Sequence, residues 1–218
     1  MTSHLLREIE TLKKDLLSIC AIVEEQVRLA IRALLERDAR LAQEVERRDA
    51  DIDRREIEVE EGCLKTLALY QPVAIDLRWI VAALKINNDL ERIGDLAVNI
   101  ARKAAALAAG PHIDIPFDIN GMWQKTEAML HDSLDALVNM DVALAEAVCA
   151  RDDEVDRMKH QNRLAIEEAI ARDPDCLQPL LKLLAVSRNL ERIADCATNI
   201  AEDVVYMVEG KIIRHHEE

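Results

Sequence analysis

The sequence predicts an all-α protein: two tandem antiparallel three-helix bundles related by an internal repeat. Three observations carry that expectation. Residues 90–101 read Leu-Glu-Arg-Ile-Gly-Asp-Leu-Ala-Val-Asn-Ile-Ala, and residues 190–201 match them at nine of twelve positions, 100 residues on. Self-similarity at a fixed offset marks a duplicated structural unit. Apolar residues recur at steps of three and four over long stretches, which is the spacing of one helix face. The 218 residues include only five Gly and five Pro, too few turn formers for many short strands.

The elements follow in order. Leu5, Ile9, Leu12, Leu16, Ile19, Val23, Val27, Ala30 and Leu34 set a first helix over 5–37. Asp38 suits the N-cap of a second helix, 39–69. Pro72 breaks the chain and fits the first turn of a third helix, 73–109. Gly110-Pro111 stops that helix. The first bundle is therefore placed at 1–110, a linker at 111–120 and the second bundle at 121–218. In the second bundle a helix is expected over 121–139. Asp141 caps another over 142–171, and Pro179 requires the last to begin near 175–178. Gly210 ends it, leaving a polar tail with His215 and His216. The halves align at an offset of 103, falling to 100 after the second helix. A helix of about 30 residues is roughly 45 Å long.

With a single Phe and 2% aromatics in all, the core must be aliphatic. The net charge of −14 argues against binding nucleic acid and favours cationic partners such as metal ions or basic protein patches. The longest apolar runs are six residues, as at 79–84, so no direct membrane insertion is expected. Five scattered Cys without a C-x-x-C pair point to reduced thiols in a cytosolic protein. Trp79, Trp123 and Tyr206 fall in helical patterns as core or interface residues.

The polar face of the repeat carries the functional candidates. Asp49 and Asp53, Glu91 and Asp95, Asp152 and Asp156, and Glu191 and Asp195 are all carboxylate pairs four apart. Each pair shares a helix face and repels unless something positive offsets it. If the pairs face one another across the second and third helices, they make a hard-oxygen site. Asn99 and Asn199 lie on the same face. The alternative is a solvated face on which Arg54, Arg92, Arg157 and Arg192 pair with the acids. Glu-x-x-His, H-E-x-x-H, G-x-S-x-G and Gly-rich phosphate loops are absent, so no catalytic residue is assigned. Nor is a phosphate site visible, and direct phosphate sensing is not expected. A metal-dependent hydrolase or oxidase, or a metal-storage bundle, stands as the alternative function.

The run from Gln71 to Ile80, with Leu84 to Ala101, resembles the first signature of PhoU proteins, and Leu190 to Glu202 resembles the second. The resemblance spans nearly the whole chain. It implies a non-enzymatic regulator of phosphate uptake and phosphate-starvation signalling, homodimeric and cytoplasmic. Its implied partners are the ATPase subunit of a phosphate ABC transporter and the phosphate sensor histidine kinase, which recruit it to the inner membrane face. It also implies metal on the eight acids above, with Asn99 and Asn199 as neighbours. The ion is divalent or trivalent: iron, Mn, Mg, Zn or Ca. Cys196 stands where relatives often have His, so it is either a softer ligand or a packing residue.

Overall fold

In the computed structural model, which describes residues 3–211, α1 (Ser3–Leu35), α2 (Ala39–Tyr70) and α3 (Ala74–Ala108) form the first bundle. The second comprises α4 (Ile119–Asn139), α5 (Val142–Cys149), α6 (Asp152–Arg172) and α7 (Leu177–Glu209), with a 3-10 turn at Pro174–Cys176. Among the described residues every regular element is helical, and no helix is long and apolar enough to cross a membrane. The tail with His215 and His216 lies outside the described residues.

The nine apolar residues that define α1 in the sequence are all buried. Asp38 caps α2 as expected, accepting from the backbone N–H of Arg40 at 2.8 Å and of Leu41 at 3.2 Å. Asp141 caps α5 in the same way, accepting from Leu144 N–H at 3.0 Å. Before each cap one residue turns left-handed, Arg37 at φ 54° and Met140 at φ 52°. Each cap's own N–H closes the preceding helix on a carbonyl, Ala33 at 2.9 Å and Ala136 at 3.0 Å. The duplicated unit therefore repeats its turn at the level of backbone geometry. Arg37 also donates to the carbonyls of Leu107 at 2.6 Å and Gly110 at 2.8 Å, satisfying acceptors at the end of α3. Gly210 caps α7 at φ 72°, its N–H donating to Tyr206 O at 2.9 Å.

Three expectations are corrected. The helix expected over 142–171 is broken after Cys149. Arg151 N–H donates to Val148 O at 3.0 Å, three residues back, while its guanidinium takes the Ala147 carbonyl at 3.1 Å and reaches Asp132 on α4 at 2.6 Å. That interhelical ion pair and the acidic run 152–154, favourable at a helix start, make a second N-terminus here. Pro72 precedes the cap residue Val73 and so lies outside the first turn of α3. Helix α4 begins at Ile119, because Asp118 accepts from Gly121 N–H at 2.8 Å and fixes the start two residues early.

The two bundles meet along α3 and α7, with a smaller contact between α1 and α4. Ile86, Leu90, Ile93, Ala97 and Ile100 on α3 are fully buried, as are Leu190, Ile193, Ala197 and Ile200 on α7. Trp79 is buried, and Trp123 and Tyr206 are half-buried against the core. Polar groups stitch the seam at its edges. Asn199 donates to Asp89 at 3.3 Å, Arg28 to Glu127 at 3.0 Å, and Lys85 pairs with Asp203 at 3.4 Å. Replacing Asp38 by Ala removes both capping bonds and is expected to cost about 1 kcal/mol. A urea midpoint unchanged from that of the parent chain would show that the cap contributes nothing.

Candidate functional site

The packing of α2 on α3 brings the first two carboxylate pairs onto facing surfaces. Gly94 permits the approach: a Cβ there would lie 3.1 Å from Ile52 Cδ1 and 3.6 Å from Asp49 Oδ1. Asp49 and Glu91 are half-buried, and Asp53 and Asp95 lie toward solvent. Burial pushes the carboxyl of Glu91 above its ordinary range, and the charges of Asp95, Asp53, Glu56 and Asp49 push it the same way. Asp49 is raised by burial and by Asp53 and Asp95, against a hydrogen bond that pulls it down. That bond comes from Gln26 on α1, 1% exposed, whose Nε2 donates to Asp49 Oδ1 at 3.0 Å. The other amide atom of Gln26, Oε1, is buried and has no hydrogen-bond partner among the described residues. Arg54, on the same helix, turns to Asp51 at 2.7 Å, and Arg102 to Glu46 at 3.3 Å.

The second groove, between α6 and α7, has the same four acids and a different charge balance. Lys159 Nζ lies 2.9 Å from Asp156 Oδ1 and 2.6 Å from Glu191 Oε1, so one ammonium bridges the two helices. Thr198 donates to Asp152 Oδ1 at 3.1 Å. Asp195 is pushed up to about 6, first by burial and then by the charges of Glu191, Asp152 and Asp156, with Lys159 opposing. Where Lys159 stands, the first half has Glu56, and where Gln26 stands, the second half has Met129.

The structure therefore brings the eight acids together as two sets of four. Among the described residues no group of His, Cys, Asp and Glu is gathered tightly enough to hold a metal ion as it stands. Four carboxylates that repel one another spread apart. The donor set of the first groove nevertheless fits a hard cation: four carboxylates and the spare oxygen of a buried amide. Asn99 is exposed on the same face. Asn199 turns away from its acids toward Asp89 on α3. The sequence missed Gln26, which is distant in the chain, and Lys159, which differs between the repeats. Cys196 is 1% exposed at the seam, and burial pushes its thiol up to about 12. It packs as a neutral side chain.

A family model described as the PhoU domain matches residues 16–104 and 119–204. The chain is 38% identical over 211 residues to the phosphate-specific transport system accessory protein PhoU homolog of Aquifex aeolicus, covering 97% of this chain and 96% of that protein. It is 38% identical over 218 residues to the Caulobacter vibrioides homolog, covering 97% and 94%. The crystal structure of PhoU from Pseudomonas aeruginosa superimposes with a TM-score of 0.91 at 36% identity, covering 94% of this chain and 99% of that one. That of the phosphate transport system regulatory protein PhoU from Streptococcus pneumoniae gives 0.85 at 25% identity, covering 97% and 100%. The two matched segments coincide with the two bundles, and the chain belongs to the PhoU family.

Proposed function

We propose that this chain is a non-enzymatic regulator of phosphate uptake and phosphate-starvation signalling. It acts as an adaptor between the ATPase subunit of a phosphate ABC transporter and the sensor histidine kinase of the phosphate response. The observation that carries this reading is the correspondence, over 97% of the chain, with a protein named as an accessory of the phosphate-specific transport system. Helices of 32 to 35 residues support it, because they present long stiff faces for two partners at once. The chain works as a homodimer in the cytoplasm and reaches the inner membrane face through its partners.

The carboxylate grooves hold metal in support of that role. Asp49, Asp53, Glu91 and Asp95, with the Gln26 oxygen, would hold a divalent or trivalent ion in the first groove. A bound ion supplies positive charge that offsets the repulsion and stabilises the folded chain by mass action. In the second groove Lys159 already meets Asp156 and Glu191, so an ion there must displace it. The first groove therefore fills first.

Affinity capture from cells grown in abundant phosphate is expected to recover the transporter ATPase subunit or the sensor kinase. Recovery of neither after mild crosslinking removes the adaptor reading. Elemental analysis tests the grooves: Asp95→Ala should lose most bound metal, and Asp195→Ala little. Equal metal in both variants and the parent removes the assignment. The raised carboxyl of Asp195 gives a pH signature in metal-free protein. Its folded value, about 6, lies above the unfolded value of about 3.9. The folded state therefore binds the proton more tightly, and its contribution is lost as pH rises through that window. Asp195→Asn should raise the thermal midpoint at about pH 8, with the difference closing near pH 4.

A further inference from the structure

A cavity of about 490 Å³ opens beside the second groove, where α6 and α7 meet α3 of the other bundle. Its lining includes Arg92 from α3, Lys159, His160 and Arg163 from α6, and Arg188 and Arg192 from α7. In a chain of net charge −14, this is a concentration of the minority sign. Lys159 and Arg163 lie one turn apart, as do Arg188 and Arg192, and like charges at that spacing repel. Arg92 and Arg192, which the sequence suggested as partners for the acids, line this cavity together with Arg188. Arg163 approaches Glu167 at 3.5 Å.

The first bundle shows that three of these cations are particular to the second. At the offset that aligns Asp53 with Asp156, Lys159 replaces Glu56 and Arg163 replaces Glu60. At the offset that aligns Glu91 with Glu191, Arg188 replaces Asn88. At these three positions the duplicated face is acidic or neutral in the first copy and basic in the second. Two carboxylates, Glu191 and Asp195, also line the cavity. The ammonium of Lys159, 2.6 Å away, answers Glu191, leaving Asp195 among Arg92, Arg188, Arg192 and an Arg163 that also meets Glu167.

We infer that this cavity is an anion site for a small ligand bearing two or more phosphoryl groups. A guanidinium fork pairs with phosphate oxygens through two parallel bonds. The cavity is far larger than one orthophosphate ion and falls in the range of small-molecule pockets. A terminal phosphoryl carries about −1.5 to −2 charges near neutrality, so two or three linked groups match four arginines in this space. The site needs no glycine-rich loop, because the donors stand on rigid helices from both bundles.

Calorimetric titration of the full chain, stripped of metal on a chelating resin, tests this with sodium tripolyphosphate, ATP and orthophosphate. One saturable site for tripolyphosphate or ATP is expected. Arg188→Ala should weaken it about tenfold, the loss of one charge-assisted contact, while Arg54→Ala on the first bundle leaves it unchanged. Equal affinity for the two ligands assigns the phosphate chain as the recognised part; preference for ATP assigns a nucleotide; either upholds the site. The inference is overturned if neither ligand binds saturably, if Arg163→Ala and Arg188→Ala both bind as the parent does, or if orthophosphate or a polyglutamate peptide binds more tightly than tripolyphosphate and ATP.

Discussion

Helix α3 is buried on two sides at once, and the rest of the structure depends on that. One side closes the first bundle with α1 and α2; the other meets α7. At 100° per residue its buried positions sweep roughly 200° of the circumference. Helix α7 carries the matching burden in the second bundle. Each central helix has less than half its surface left for polar groups. The charged residues of the repeat are confined to that remainder, so carboxylates one turn apart on neighbouring helices have little room to avoid one another.

The two copies answer this crowding differently. The first keeps Glu56 beside its four acids and adds a buried amide whose oxygen has no protein partner among the described residues. The second substitutes Lys159, which ties Asp156 to Glu191, and fills the place of the amide with Met129. Electrostatics has diverged while the apolar pattern has not, because core packing constrains the buried positions more tightly than the outer ones.

Much of this was legible in the chain. The periodic apolar stripes, the caps Asp38, Asp141 and Gly210, and the repeat itself are local signals, and they place six of the seven α-helices. The break between α5 and α6 was not legible, because it depends on Arg151 reaching Asp132 on a different helix. At the grooves, identities between the repeats pointed to the acids. What distinguishes the grooves lies in the differences, Glu56 against Lys159 and Gln26 against Met129, together with pairings made between helices.

The break after Cys149 has a further consequence. It places Asp152 at the first position of α6, whereas its counterpart Asp49 lies in the interior of α2. A carboxylate at a helix start sits against the positive end of the aligned peptide dipoles, whereas one in mid-helix receives no such help. The second groove is thus partly neutralised by its own backbone as well as by Lys159. Its stability belongs to the polypeptide, while the first groove has neither of these aids. A single chain so built holds two copies of one acidic face at unequal charge.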